Sequence, residues 1–205
     1  MILCDIGNTS YHFLDDNQEY KKSVKNFDIT TITEKVYFIC VNVEVKAKLQ
    51  KVKNWIDLEE FISRDNYYST MGIDRVVACE SIQNGIIVDA GSAITVDKMK
   101  NGSFEGGFIY PGIKAMAQSY KNISTSLDYS FNFECEFDIM PKNSQDALSY
   151  GYLKLLYNEV VSFNIDIFLT GGDAEKFAKI FPQAKIEKHL VFNGMKKIIK
   201  KACLC

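Results

Sequence analysis

The chain has 205 residues, of which 47% are apolar and 24% are charged, a balance typical of a globular protein with a sizeable core. The formal net charge of −2 provides no basic surface for nucleic acid, and no uncharged apolar run approaches the ~20 residues that span a bilayer. The six cysteines form no C-x-x-C pair, so we expect reduced thiols and a cytoplasmic protein.

The N-terminal half begins with strands and continues with helices. An apolar strand ends at a glycine turn, and a second strand pairs back onto it. A later run is apolar without interruption, as expected for a strand buried on both faces. The predicted strands cover residues 1–6, 11–14, 19–25 and 36–41, and helical patterns cover 44–52 and 74–83.

The second half repeats this order. Three strands joined by tight turns are predicted at 86–90, 93–99 and 103–110, followed by a helix at 113–120 and an irregular stretch at 124–143. A long helix at 144–163, a strand at 165–169 and a terminal helix at 193–202 complete the chain. Each half opens with Asp-x-Gly in a hairpin, which suggests two related domains around one phosphate chain, with a boundary near 80–86.

The two Asp-x-Gly turns are candidate phosphate loops. Gly7-Asn8-Thr9 and Gly91-Ser92 can offer backbone N–H groups and hydroxyls to phosphate oxygens, and Asp5 can hold Mg²⁺. An ordinary hairpin turn explains the first loop equally well. Asp89 follows three β-branched residues, so its carboxylate should have a cation or a donor nearby. Asp97 is equally consistent with a surface position.

Three further segments carry glycine beside polar residues. In Gly72-Ile73-Asp74-Arg75, the Asp74 carboxylate could accept a proton from a hydroxyl, and Arg75 could bind a carboxylate. A capped helix with a solvated Asp–Arg pair is the alternative. The segments 106–112 and 170–173 stand at helix starts, where anions and nucleotides bind, but simple turns and caps also account for them.

Together these segments resemble the type III pantothenate kinases, a branch of the superfamily that includes sugar kinases, Hsp70 and actin. The family's Asp-x-Gly-Asn-Thr matches residues 5–9, its Gly-x-Asp-Arg matches 72–75, and its Asp-x-Gly-Thr-Ala-x-Thr-x-Asp matches 89–97. Its Gly-Gly-x-Ile-x-Pro-Gly matches 106–112, and its Thr-Gly-Gly-Asp-Ala matches 170–174. Each motif is weak alone, but their order along nearly the whole chain is specific.

The resemblance implies ATP-dependent phosphorylation of pantothenate to 4'-phosphopantothenate, the first step of coenzyme A biosynthesis. It implies an α/β fold of two related actin-like, ribonuclease H-like domains with a cleft between them. Residues 1–84 would carry the first phosphate loop and the pantothenate segment. Residues 85–205 would carry the second phosphate loop and the adenosine segment, with the last helix packing back on the first domain.

The resemblance also implies roles for individual residues. Asp74 would be the catalytic base, Asp5 would lie near Mg²⁺, and Asp89 would bind an activating monovalent cation, K⁺ or NH₄⁺. The implied ATP-binding residues are Asp5, Ile6, Gly7, Asn8, Thr9, Ser10, Tyr11, His12 and Ser92. The implied pantothenate-binding residues are Tyr68, Gly72, Ile73, Asp74, Arg75 and Ser144, with Tyr67 an alternative to Tyr68. Family members are homodimers whose substrate site borrows a residue from the partner, here matched by Ser144.

Some positions depart from the family pattern. Ser92 and Ser144 replace threonines and keep the hydroxyl, the Tyr-x-x-Pro run before Gly72 lacks its proline, and the chain is shorter than most relatives. Two other functions are considered. Another small-molecule kinase or ATPase of the superfamily would share the phosphate loops but not the segment 72–75. A nucleotide-binding regulatory protein would need neither Asp74 nor Arg75, and both are present.

Overall fold

Two five-stranded mixed sheets form the framework of the computed structural model, which describes residues 1–204. Met1–Ile82 and the stretch from His189 onward form one compact unit, and Gln83–Lys188 form the other. We call them the N-terminal unit and the C-terminal unit. Each combines its sheet with helices, which confirms the predicted α/β fold of two related domains.

The regular elements are as follows. The strands are β1 Ile2–Ile6, β2 Ser10–Asp15, β3 Gln18–Ser23, β4 Val36–Cys40, β5 Trp55–Asp57, β6 Gly85–Ala90, β7 Ala93–Lys100, β8 Ser103–Pro111, β9 Ile167–Thr170 and β10 Lys185–Ile186. The α-helices are α1 Val43–Leu49, α2 Ile73–Glu80, α3 Ile113–Ile123, α4 Ser144–Ser149, α5 Leu155–Ser162, α6 Ala174–Phe177 and α7 Leu190–Lys201. Short 3₁₀ helices cover Ile29–Thr31, Leu58–Phe61 and Thr125–Leu127, and a π-helical segment, Tyr150–Lys154, joins α4 to α5.

The two sheets have the same topology. In the N-terminal unit the strand order is β3-β2-β1-β4-β5, with β1 antiparallel to β2 and parallel to β4. In the C-terminal unit the order is β10-β9-β6-β7-β8, with β6 antiparallel to β7 and parallel to β9. The central strand of each sheet therefore leads directly into one of the two Asp-x-Gly turns.

The core of the N-terminal unit shows why its strands form. Alternate residues of β1 and β2 point to one face, where Tyr11 and Phe13 meet Phe38 and Trp55. The Phe13 and Trp55 ring centroids are 6.1 Å apart, in an edge-on arrangement that aromatic pairs favour. Leu49 of α1 is fully buried against the same face.

Helices α2 and α7 pack against each other within the N-terminal unit. Gly194 of α7 lies against the backbone of Val77 in α2, so closely that a Cβ atom at position 194 would collide with the Val77 carbonyl oxygen. Glycine is therefore needed there for the close approach of the two helices. The C-terminal helix thus belongs to the same unit as the first strands.

Several elements differ from the sequence-based expectation. The long helix predicted at 144–163 is present but contains the π-helical segment, and the strand expected from residue 165 begins at Ile167, because Ile165 and Asp166 are exposed. Strands β5 and β10 were not predicted, since two or three residues show no measurable periodicity, whereas the helix start expected at 170–173 is confirmed by α6. Within residues 1–204, no helix combines the length and the apolar character required to cross a bilayer.

Candidate active site

The turn after β1 exposes backbone donors. Gly7 donates its N–H to the Ser10 carbonyl at 3.0 Å, and the Thr9 carbonyl accepts from Val24 at 3.0 Å. Asn42 donates its side-chain amide to the Asn8 carbonyl at 3.4 Å. Asn8 and Thr9 are exposed, and neither N–H has an acceptor among residues 1–204. The turn is thus held by its carbonyl groups, which leaves two N–H groups for an anion.

The residues that flank this turn differ in what their side chains can reach. Ile6 and Tyr11 are buried in the core, so only their backbone groups are available to a ligand. Asp5 is half-buried and lies directly opposite His12, so the two side chains share one face of the sheet. The His12 ring contacts Glu19 at 2.5 Å and lies edge-on to Phe192 of α7. Burial lowers the pKa of His12, although the Glu19 contact opposes this.

Asp74 occupies the first turn of α2, with Gly72 as the N-cap residue. Its Oδ1 accepts the backbone N–H of Arg75 at 2.9 Å, and Asp74 is half-exposed. The carboxylate therefore lies at the N-terminal end of α2, near the positive end of the helix dipole. A Cβ atom at position 72 would lie 2.5 Å from the same Oδ1, so glycine leaves room for the carboxylate.

Arg75 and Tyr68 are brought together by the segment that precedes α2. Arg75 is only 6% exposed, and its Nη1 donates to the Tyr68 hydroxyl at 2.5 Å. The guanidinium also stands 5.8 Å from the Tyr68 ring centroid. Tyr67 is buried and donates its hydroxyl to Glu80 at 3.1 Å. Tyr68 therefore contacts Arg75 through its hydroxyl.

In the C-terminal unit, polar side chains flank Asp89 on both neighbouring strands. Asp89 pairs with Thr95 on β7 and with Thr170 on β9, so the three side chains share one face of the sheet. Thr95 Oγ1 is buried without a hydrogen-bond partner among the described residues. A buried hydroxyl costs free energy unless it is bonded, so this oxygen is available to a ligand beside Asp89. Sequence reasoning gave Thr95 no role, although its position in the motif was visible.

Two glycines allow the loops at 106–112 and 170–173 to pack against the turn that follows Asp89. A Cβ atom at Gly112, the N-cap of α3, would collide with the Ser92 carbonyl oxygen. Gly171 has a φ of +87°, and a Cβ atom there would collide with Asp89 Oδ1. Asp173 donates its N–H to the Ala90 carbonyl at 2.9 Å. The segments predicted to bind anions and nucleotides therefore converge on Ala90–Ser92.

The remaining predicted residues stand as follows. Asp97 is 1% exposed, so the surface position considered for it is wrong. It lies on the same face of β7 as Thr95, two residues away. Ser92 and Ser144 are exposed, and Ser144 begins α4, which is capped by Asn143. Among residues 1–204, no three His, Cys, Asp or Glu side chains form a ready metal cage.

Comparison with known proteins identifies the family. A sequence model described as type III pantothenate kinase matches residues 29–163. A type III pantothenate kinase of Sulfurimonas denitrificans is 58% identical over 205 residues, covering 100% of each chain. The chain belongs to the type III pantothenate kinase family. The resemblance inferred from the motifs is confirmed, and this type III pantothenate kinase is an enzyme of the phosphotransferase class.

Solved structures agree with the fold. A Campylobacter jejuni protein described as a Baf family transcriptional activator is 40% identical and superposes with a TM-score of 0.90, covering 100% of each chain. A Sinorhizobium meliloti protein described as a 2-dehydro-3-deoxygalactonokinase has a TM-score of 0.56 at 10% identity, covering 98% of this chain and 96% of its own. The second likeness shows the fold alone, which is shared with a protein of very different sequence.

Proposed function

We propose that Asp74 is the general base with which this type III pantothenate kinase phosphorylates pantothenate from ATP in coenzyme A biosynthesis. The observation that carries the proposal is the geometry at the start of α2. Asp74 Oδ1 is fixed by the Arg75 N–H, while Oδ2 makes no hydrogen bond within residues 1–204. That oxygen can accept the proton of the pantothenate hydroxyl as it attacks the γ-phosphorus.

The pantothenate site is assigned to the segment around Asp74. Pantothenate carries a carboxylate, and Arg75 beside Tyr68 offers a charged donor and a phenol that suit it. Gly72 and Ile73 supply backbone at the helix start, where an anion is favoured. We further propose a homodimer in which Ser144 of one subunit completes the pantothenate site of the other. Mixing Asp74→Asn subunits with Ser144→Arg subunits should restore activity if sites are shared, and a mixture as inactive as its components contradicts sharing.

The ATP phosphates are assigned to Asp5–His12, with Ser92 as a further contact. The Asn8 and Thr9 N–H groups and the Thr9 and Ser10 hydroxyls are suited to phosphate oxygens. Ile6 and Tyr11 contribute through the backbone alone because their side chains are buried. Since no carboxylate cage exists in residues 1–204, Mg²⁺ would be held by Asp5 together with water and phosphate, as is usual for this ion.

Asp89 is assigned to the monovalent cation, K⁺ or NH₄⁺. The fit rests on the unpartnered Thr95 Oγ1 on the strand beside it, since an oxygen and a carboxylate suit such a cation. When bound, the cation offsets part of the negative charge of the phosphates. Asp89 and Thr95 would hold it beside the turn at Gly91 and Ser92.

The base assignment is tested with Asp74→Asn, which removes the proton acceptor and keeps the shape. We expect ATP binding and the melting temperature to stay unchanged while turnover falls by about 10²–10⁴-fold. ATP consumption is measured with and without pantothenate, in potassium and in sodium. Asp166→Asn, which removes an exposed carboxylate paired with Lys185, serves as the control. Wild-type turnover by Asp74→Asn would remove Asp74 from the mechanism, and turnover that pantothenate does not stimulate would favour another superfamily kinase.

A further inference from the structure

A cluster of four charged side chains lies next to the pantothenate segment in the N-terminal unit. Lys46 of α1 pairs with Asp57 at 3.0 Å and also with Glu59, and Glu59 pairs in turn with Arg64. All four are buried or half-buried. Partly buried ion networks contribute little net stability compared with apolar packing, so the cluster is better explained by the groups that it holds in place.

A second hydrogen bond of the Arg64 guanidinium shows which backbone segment the cluster holds in place. Arg64 Nη1 donates to the Met71 carbonyl at 2.7 Å, seven residues further along the chain. Met71 is 2% exposed and directly precedes Gly72. The irregular segment 64–71 also carries Tyr68, whose hydroxyl accepts from Arg75. Arg64 therefore closes a loop that leads into Asp74 and carries a proposed substrate contact.

We propose that Arg64 is a positioning residue that fixes the Met71–Gly72 backbone and thereby aims Asp74 at the substrate hydroxyl. The inference rests on the proposed role of Asp74. A guanidinium has separate N–H groups for Glu59 and for the Met71 carbonyl, whereas a lysine ammonium has a single nitrogen. Lys46 and Glu59 hold Arg64 in place, because Glu59 accepts from both cations.

Two properties of the surroundings support this arrangement. A pocket of about 400 Å³ is lined by Lys46, Glu59 and Arg64 together with Gly72 and Ile73. The network is thus part of the wall beside the proposed substrate segment. Burial would raise the pKa of Glu59, but hydrogen bonds from Lys46 and Arg64 outweigh it and lower the pKa. The carboxylate that orients Arg64 stays ionised at neutral pH.

The first test is Arg64→Lys in the full-length enzyme. The lysine keeps the charge, but its single nitrogen cannot occupy the positions of both Nη1 and Nη2, so the bridge between Glu59 and the Met71 carbonyl is lost and the backbone before Gly72 loosens. We expect kcat at saturating pantothenate to fall about tenfold, because misplacement of a reacting group is costly. The KM for ATP should stay within about twofold of wild type, since the phosphate contacts are elsewhere. Glu59→Gln should reproduce the pattern, and Lys185→Gln, which breaks a surface pair with Asp166, should not.

A double-mutant cycle shows whether Arg64 acts through Asp74. In the Asp74→Asn background, Arg64→Lys should cause no further loss of kcat, because the group it positions is already gone. A further tenfold loss there would overturn the inference. A lower melting temperature with wild-type kcat in Arg64→Lys would also overturn it and leave a structural role only. Failure of the base assignment is a separate outcome from failure of this inference, because it would appear as wild-type turnover in the Asp74→Asn enzyme with Arg64 unchanged.

Discussion

The Gly72→Ala substitution tests the geometry of the proposed base without touching its chemistry. The added methyl group would lie 2.5 Å from Asp74 Oδ1, whereas ordinary contacts begin at 3.4 Å. The carboxylate oxygen therefore has to move by about 0.9 Å, and its hydrogen bond from the Arg75 N–H has to bend or break. The clash involves the end of a side chain, so the carboxylate yields and the helix backbone does not.

The expected effects on catalysis and stability differ sharply. A misplacement of about 1 Å can cost about 10²-fold in rate, which corresponds to ~2.7 kcal/mol in the activation barrier. Stability should change by less than about 1 kcal/mol, because the smaller conformational freedom of alanine in the unfolded chain offsets its poorer N-cap propensity. The φ of −57° at Gly72 is open to alanine without strain.

The assay compares kcat at saturating ATP and pantothenate with the melting temperature of the same preparation. Gly151→Ala is the matched control, because a Cβ atom there meets nothing within 4 Å and the residue lies in the C-terminal unit. We expect the control to keep wild-type kcat. A folded Gly72→Ala enzyme with wild-type kcat would refute the reasoning, since the carboxylate could then move without consequence.

Four further substitutions or conditions probe the rest of the site. Gly7→Ala should leave stability unchanged but raise the KM for ATP, and an unchanged KM would argue against phosphate binding at this turn. Gly171→Ala should lower the free energy of unfolding by about 1–3 kcal/mol, because φ is +87° and the Ala90 carbonyl oxygen lies 2.7 Å from the new Cβ. The change is measured by urea denaturation, and an unfolding midpoint equal to that of the wild type would contradict it. Thr95→Val should abolish the extra thermal stability that potassium gives over sodium, whereas an undiminished difference would exclude Thr95 as a ligand. Because the pKa of Glu59 is lowered on folding, its stabilising contribution is present above the unfolded pKa of ~4.3 and is lost as pH falls through the folded value. Glu59→Gln should therefore lose less stability than wild type on acidification below that pH, and parallel pH curves for the two proteins would contradict the ion pairing.

Much of the fold was predictable because its patterns are local. Strand β4 consists of five consecutive buried residues, and the hairpin β7–β8 turns at Asn101-Gly102, a strong local signal. The membership of α7 in the N-terminal unit was not readable from periodicity, because it depends on a close approach between Gly194 and Val77, which are distant in sequence. Strand β5 is three residues long and pairs only through the tertiary fold.

The residues of the site that belong to sequence motifs were predictable. The contacts that depend on the three-dimensional arrangement of the chain were not. Gly72 and Asp74 were visible as a pattern, but the contact between them depends on the turn of the helix. Arg64 was missed because it lies in an irregular segment, and its partner Met71 contributes a carbonyl group, which has no sequence signature. Thr95 was visible in the motif, yet the burial of its hydroxyl without a partner among residues 1–204 depends on the packing of the sheet and could not be read from the sequence.

The glycines in and around the two phosphate loops differ in what the fold demands of them. Gly112 and Gly171 are required by the protein itself, since a side chain there would strike the Ser92 carbonyl or Asp89. Gly7 has no such neighbour: its Cβ would meet only the Ser10 carbonyl at 3.8 Å, an ordinary contact, and its φ lies outside the left-handed region. Gly91, the glycine of the second loop, is likewise met only at ordinary distances, by the Ala93 carbonyl at 3.4 Å and by Asp89 Oδ1 at 3.9 Å, so both turns leave room for the close approach of a ligand. What separates the two turns is their surroundings: Gly112 and Gly171 pack closely against Ser92 and Asp89, beside the proposed cation site, whereas the first turn leaves the Asn8 and Thr9 N–H groups for the ATP phosphates.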